Sequence, residues 1–94
     1  MNSDQIFEKA RAEVDKFVEE IRLIRGTDAD VVFASREENE RRNEAIKLIA
    51  AKAIRRSEEL CDYVNWELRI NDHNFTVTRI FREFDRIPKA IQGK

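Results

Sequence analysis

The chain has 94 residues, a length that predicts a single domain over residues 1–94. Hydrophobic residues make up 41% and charged residues 39%, a balance typical of charged helices that carry narrow apolar stripes. Two glycines and one proline are too few for the turns of an all-β fold, and a net charge of −1 provides no overall field to attract nucleic acid. The composition therefore predicts an all-α protein.

The expected compartment follows from cysteine content and hydropathy. One cysteine cannot form an internal disulfide, and the N-terminal residues lack the basic start and apolar run of a secretory signal. No stretch approaches the roughly 20 apolar residues that cross a bilayer. We expect a cytoplasmic protein that does not enter the membrane.

The first predicted helix covers residues 4–25, with Ser3 as its N-cap. Gly26 is expected to end it, because glycine accepts the left-handed backbone that follows many helices. Apolar residues recur at helical spacing and predict one buried face: Ile6, Ala10, Val14, Phe17, Ile21 and Ile24.

Residues 27–35 allow two interpretations. Thr27 or Asp28 could cap a new helix immediately. Alternatively, residues 31–33 form a short extended piece that enters the core, and Ser35 with Glu38 forms a capping box that starts the next helix. We favour the second interpretation.

The second predicted helix covers residues 36–70 and is long for so small a chain. Its middle, residues 45–54, is apolar on nearly every side, and such a helix needs cover from more than one neighbour. A single chain of this length offers few neighbours, so we expect a homodimer. The residues predicted to mediate self-association are Ile46, Ile49, Ala50, Ala53 and Ile54.

A third helix is predicted over residues 75–86, capped by Asn74 and ended by Ile87 and Pro88. The residues expected to face inward are Phe75, Thr78, Ile80, Phe81, Phe84 and Ile87. The predicted fold is thus a three-helix antiparallel bundle with one long central helix, completed by homodimerisation.

Two groups of residues could bind a second partner. Tyr63 and Trp66 lie one helical turn apart, as core residues or as interface anchors would. Arg79, Arg82 and Arg86 form a basic strip that could meet nucleic acid or an acidic partner. Packing against the acidic residues of segment 58–67 would explain the strip without any ligand.

The carboxylate pairs Glu37-x-x-Glu40 and Glu59-x-x-Asp62 suggest a different function. Their order resembles the ExxE…ExxD pattern of the MazG-like all-α nucleotide pyrophosphatases, in which four carboxylates hold magnesium at a nucleoside triphosphate. The resemblance implies that these four residues bind the metal. That family places the two pairs on different helices, whereas this sequence predicts one continuous helix that separates them by roughly 33 Å.

His73 and Cys61 do not complete a zinc site or a hydrolytic triad, so we expect neither catalysis nor a cofactor from them. The function that the sequence favours is a non-enzymatic helical module for protein–protein interaction or assembly. The alternatives are the magnesium-dependent pyrophosphatase and a small nucleic-acid-binding regulator that uses the basic third helix.

Overall fold

The computed structural model describes residues 2–68 and 73–92, and the all-α prediction is confirmed. Five helices lie in these ranges: α1 (Ser3–Arg25), α2 (Asp28–Phe33), α3 (Arg36–Trp66), α4 (His73–Phe84) and α5 (Arg86–Gln92). The prediction of three helices is therefore wrong in number, although α3 is the long helix that it anticipated.

Helix α1 follows the sequence prediction closely but begins one residue earlier. Asn2 rather than Ser3 is the N-cap, because its side chain accepts from the backbone N–H of Gln5 while the Gln5 side chain accepts from that of Asn2. Gly26 ends the helix with φ 72° and ψ −158°, a positive-φ backbone that glycine adopts readily but not the left-handed helical geometry that was expected. The buried stripe consists of Ile6, Ala10, Val14, Val18 and Ile21.

Helix α2 shows that the extended piece expected over residues 31–33 is wrong, whereas Ser35 does cap the next helix. The Thr27 side chain accepts a hydrogen bond from the Asp30 N–H, and the Asp30 carboxylate accepts one from the Thr27 N–H at 2.7 Å. The bond from the Thr27 N–H, and secondly one that the Thr27 hydroxyl donates to the same carboxylate at 2.8 Å, lower the pKa of Asp30. Together these contacts fix a short helix directly after Gly26. Phe33 is 87% exposed, so residues 31–33 do not enter the core.

Helix α3 starts where predicted and ends earlier. The Ser35 hydroxyl caps it by accepting from the Glu38 N–H at 3.1 Å. The helix ends at Trp66 rather than at residue 70, and residues 69–72 lie outside the described ranges. Its buried face consists of Ile46, Ile49, Ala53, Ser57, Leu60, Cys61 and Val64.

The C-terminal part forms α4 and α5 where one helix was expected. Pro88 does not end a helix; it is the third residue of α5, in the first turn, where its missing N–H removes no intrahelical hydrogen bond. The predicted inward residues Phe75, Thr78 and Phe81 are exposed. The buried residues of this part are Thr76, Ile80, Phe84, Ile87 and Ala90.

Contact with α1 sets the register of α4. The buried hydroxyl of Thr76 lies 2.6 Å from that of Ser3, and Arg79 reaches back to Asp4 and to the ring of Phe7 on α1. These contacts direct the Thr76 face towards the core and Phe81 towards the opposite side. Periodicity alone could not distinguish the two faces, because both are rich in apolar residues.

The molecule is elongated, with extents of 52 × 18 × 15 Å. Its radius of gyration is 15.7 Å, against about 12 Å for a compact chain of this length. The accessible surface is 6842 Å², whereas the scaling law for folded monomers gives about 5,700 Å² at this mass. The molecule therefore exposes an excess of roughly 1,100 Å² over a typical monomer. Within the described residues, none of the helices is both long and apolar enough to cross a bilayer.

Candidate functional site: an apolar groove beside α3

An open groove separates α3 from the α4–α5 segment. Its volume is about 320 Å³, and we call it the α3/α5 groove. Helix α3 contributes one wall, and α4, α5 and the turn at Asp85 contribute the other. The lining residues are Ala50, Ala53, Ile54, Ser57, Phe81, Phe84, Asp85, Ile87, Pro88, Ile91 and Gln92.

The groove is open because α3 and the α4–α5 segment cover each other only in part. It is apolar because most of its lining side chains are apolar. Ile54 is 61% exposed and Phe81 is 50% exposed, although they stand on opposite walls. The guanidinium of Arg25, at the end of α1, donates to the Ile91 carbonyl at 3.1 Å and so ties the end of α5 to α1. The groove thus offers two apolar walls to a partner.

A second section continues the groove along α3 towards α2, with a volume of about 520 Å³. The two sections share Ala50 and Ile91. Arg42 lines the second section, and its buried Nη1 has no hydrogen-bond partner within the described residues. This end of the groove is therefore polar and retains a free donor. Its lining residues are Arg25, Val31, Asn39, Arg42, Asn43, Ile46, Lys47, Ala50 and Ile91.

The residues predicted to mediate self-association divide into two groups. Ile46, Ile49 and Ala53 are buried by the chain itself, and of these Ile46 and Ala53 reach the groove walls with little exposed surface. Ala50 and Ile54 line the groove and remain accessible to a partner. The sequence prediction missed the opposite wall for two reasons. It placed Phe81 in the core, and it ended the last helix at Ile87 and Pro88, which left out Ile91. The spacing of Ile87 and Ile91 by one helical turn was the available signal.

The predicted arginine strip is largely engaged by α1. Arg79 lies 3.5 Å from the Asp4 carboxylate and 4.0 Å from the centre of the Phe7 ring. Arg86 lies 2.7 Å from the Asp15 carboxylate and also pairs with Glu83 on α4.

These ion pairs correct the expectation that the strip would pack against the acidic residues of segment 58–67. Arg82 is exposed on the surface of α4. Of the two predicted aromatic anchors, Tyr63 is partly buried against the core and Trp66 is 81% exposed at the end of α3.

The four carboxylates of the MazG-like pattern all stand on α3 and do not meet. Glu37 and Glu59 are 22 positions apart on one helix, which separates them by roughly 33 Å. Glu40 pairs with Arg36, and Glu59 pairs with Arg56. Across residues 2–68 and 73–92, no three or more His, Cys, Asp or Glu side chains group as a metal ion would require.

Cys61 and His73 occupy separate places. Cys61 is buried in the core face of α3, where burial, and secondly the charge of Asp62, raises the pKa of its thiol to about 11. Such a thiol is protonated at neutral pH and is a weak nucleophile. His73 is the first residue of α4.

No protein-family model matches the chain, and neither a curated protein nor a solved structure does.

Proposed function

We propose that this chain is a helical protein–protein interaction module that self-associates through the α3/α5 groove, so that a second copy completes the helical bundle. The observation that carries this proposal is the pairing of Ile54 and Phe81, two large apolar side chains that face one open groove from opposite walls. Apolar side chains grouped in this way are typical of interaction surfaces rather than of a finished monomer surface.

The amount of exposed surface supports this proposal. The excess of roughly 1,100 Å² over a typical monomer exceeds the ~800 Å² that each partner contributes to a standard interface. Association along the length of α3 would thicken the molecule across its two short dimensions of 18 and 15 Å. An elongated chain of this kind gains core volume by pairing, because small domains bury a low fraction of their surface alone.

The charge of the chain is also compatible with a second copy as the partner. At a net charge of −1, two copies have almost no long-range repulsion to overcome when they approach. Both signs of charge occur along the exposed part of α3, so local pairs between copies are available.

Substitution of Ile54 by glutamate tests the proposal. Ile54→Glu places a charge in the groove, where its desolvation opposes association, and we expect light scattering to show a monomer where the unmodified protein is a dimer. Leu48→Glu is the matched control, because Leu48 is 66% exposed on the same helix but lies outside the groove. It should leave the dimer intact.

Circular dichroism of both variants would show that the helices still form. If Ile54→Glu and the unmodified protein have the same mass, the groove is not the interface.

A further inference from the structure

The exposed side of α3 carries a regular seam of residues, which we call the α3 seam: Arg36, Glu40, Asn43, Lys47, Ala50 and Ile54. Their spacings alternate between four and three positions, the pattern that places side chains along the contact line of two paired helices. Asn43, Lys47 and Ala50 line the continuous groove, and Ile54 lines its apolar section. All are exposed except Ala50, which is partly buried.

The α3 seam is complementary to itself when it is reversed about Asn43. Glu40 stands three positions before Asn43 and Lys47 four positions after it, so an antiparallel copy brings opposite charges together. Arg36 stands seven positions before Asn43 and Ala50 seven after it. No pair of like charges faces across the seam in this register. Asn43 meets its own counterpart, the position where a polar residue specifies register in paired helices.

The end of α2 adds an exposed apolar projection, which we call the knob, beside the start of α3. Val32 and Phe33 at the end of α2 are both exposed, and the same short helix contributes Val31 to the groove. Phe33 stands ten positions before Asn43 and Ile54 eleven after it. Phe33 precedes the Ser35 cap of α3 by two residues, so it stays near the Arg36 end of the α3 seam. The reversal that pairs Glu40 with Lys47 brings that end of one copy beside Ala50 and Ile54 of the other, next to the apolar section of its groove.

We infer that two copies pair α3 against α3 in antiparallel orientation about a two-fold axis at Asn43, with Phe33 of each copy filling the α3/α5 groove of the other. This inference rests on the proposed function and adds the identity of the group that enters the groove. Each copy supplies one knob and one groove, so the contact closes on itself as a dimer and does not propagate into a fibre. The surface pairs Arg36–Glu40 and Lys47–Glu44 are fully available for exchange, since both lie in solvent.

Cysteine cross-linking tests the position of the axis. Asn43→Cys places two thiols next to each other on the two-fold, so mild oxidation should give a covalent dimer in high yield. Glu58→Cys is the matched control, because in this register its two thiols lie roughly 45 Å apart and cannot form a disulfide. The native Cys61 is buried and separated by a similar distance from its counterpart, so it should not contribute.

Charge exchange tests the side-chain pairing independently. Glu40→Lys and Lys47→Glu should each weaken dimerisation several-fold, because each places like charges opposite one another. The double variant Glu40→Lys/Lys47→Glu restores opposite charges across the seam and should recover the dissociation constant of the unmodified protein. Rescue of this kind would not follow if the two residues acted separately.

Truncation of the knob tests what fills the groove. Phe33→Ala should raise the dissociation constant by at least tenfold, whereas Leu23→Ala, at an exposed apolar position of α1, should not change it. A dimer that neither cross-links through Asn43→Cys nor responds to Phe33→Ala overturns the inferred arrangement but leaves groove-mediated association standing. An unmodified protein that is monomeric overturns both.

Discussion

Cys61 shows how a single residue couples burial to pH. Its thiol has an ordinary pKa of 9.0 and a pKa of about 11 in the folded chain, so the folded state holds the proton more tightly than the unfolded state. Below pH 9 both states are protonated and the burial of the neutral thiol is fully stabilising. As pH rises from 9 to 11 the unfolded thiol ionises first, and this contribution to stability is lost.

The free energy of unfolding of the unmodified protein should exceed that of Cys61→Ala. We expect this difference to be constant up to about pH 9 and to shrink between pH 9 and 11. Urea unfolding of both proteins across this range measures the difference, and the other groups that titrate there are common to both. A difference that is constant through pH 11 would contradict the burial of the thiol.

Several features at this scale could be predicted because they depend on nearby residues alone. The role of Gly26 and the cap at Ser35 follow from local backbone chemistry and are confirmed. The exposure of Phe81 could not be predicted, because it depends on which face of α4 is held against α1 through contacts such as Ser3 with Thr76. Both faces of α4 carry apolar residues, so the sequence pattern does not show which face is buried.

At the scale of one element, Ser57 is the polar residue in the buried stripe of α3. Its hydroxyl donates to the carbonyl of Ile54 at 2.8 Å, a hydrogen bond within the same helix that ties α3 to no other element. Serine has a lower helix propensity than alanine, and the hydrogen bond competes with the regular backbone ladder.

We expect Ser57→Ala to leave the fold unchanged and to raise the free energy of unfolding by about 0.5 kcal/mol. Val64→Ala on the same helix is the contrasting variant, because it removes fully buried methyl groups and should destabilise by about 1–3 kcal/mol. Thermal unfolding followed by circular dichroism measures both. A clear loss of stability in Ser57→Ala would mean that the hydroxyl has a tertiary role.

The element boundaries show where sequence patterns are sufficient. Helices α1 and α3 are long and strongly periodic, and their predicted starts lie within one residue of the observed ones. Helix α2 was the less favoured of two alternatives because two valid caps, Thr27 and Ser35, stand eight positions apart, and only tertiary structure decides that both are used. Helix α5 was missed because Pro88 was taken as an end, although proline is tolerated in a first turn.

At the scale of the whole molecule, the apolar middle of α3 is the feature from which self-association was predicted. Ile46, Ile49 and Ala53 are covered by the chain itself, because α1, α4 and α5 all contact one another around α3. The apolar surface of α3 that the chain leaves uncovered is therefore smaller than the sequence indicated and lies at Ala50 and Ile54. A pattern reports how apolar a helix is, whereas the number of neighbours that cover it is a property of the fold.

Sedimentation equilibrium of the unmodified protein tests the central claim that a second copy covers the α3/α5 groove. Over a roughly hundredfold range of concentration, the weight-average mass should rise by mass action from that of one chain to that of two, and then stop. One chain has a mass of 11.2 kDa. A mass that stays at 11.2 kDa at every concentration would contradict the account.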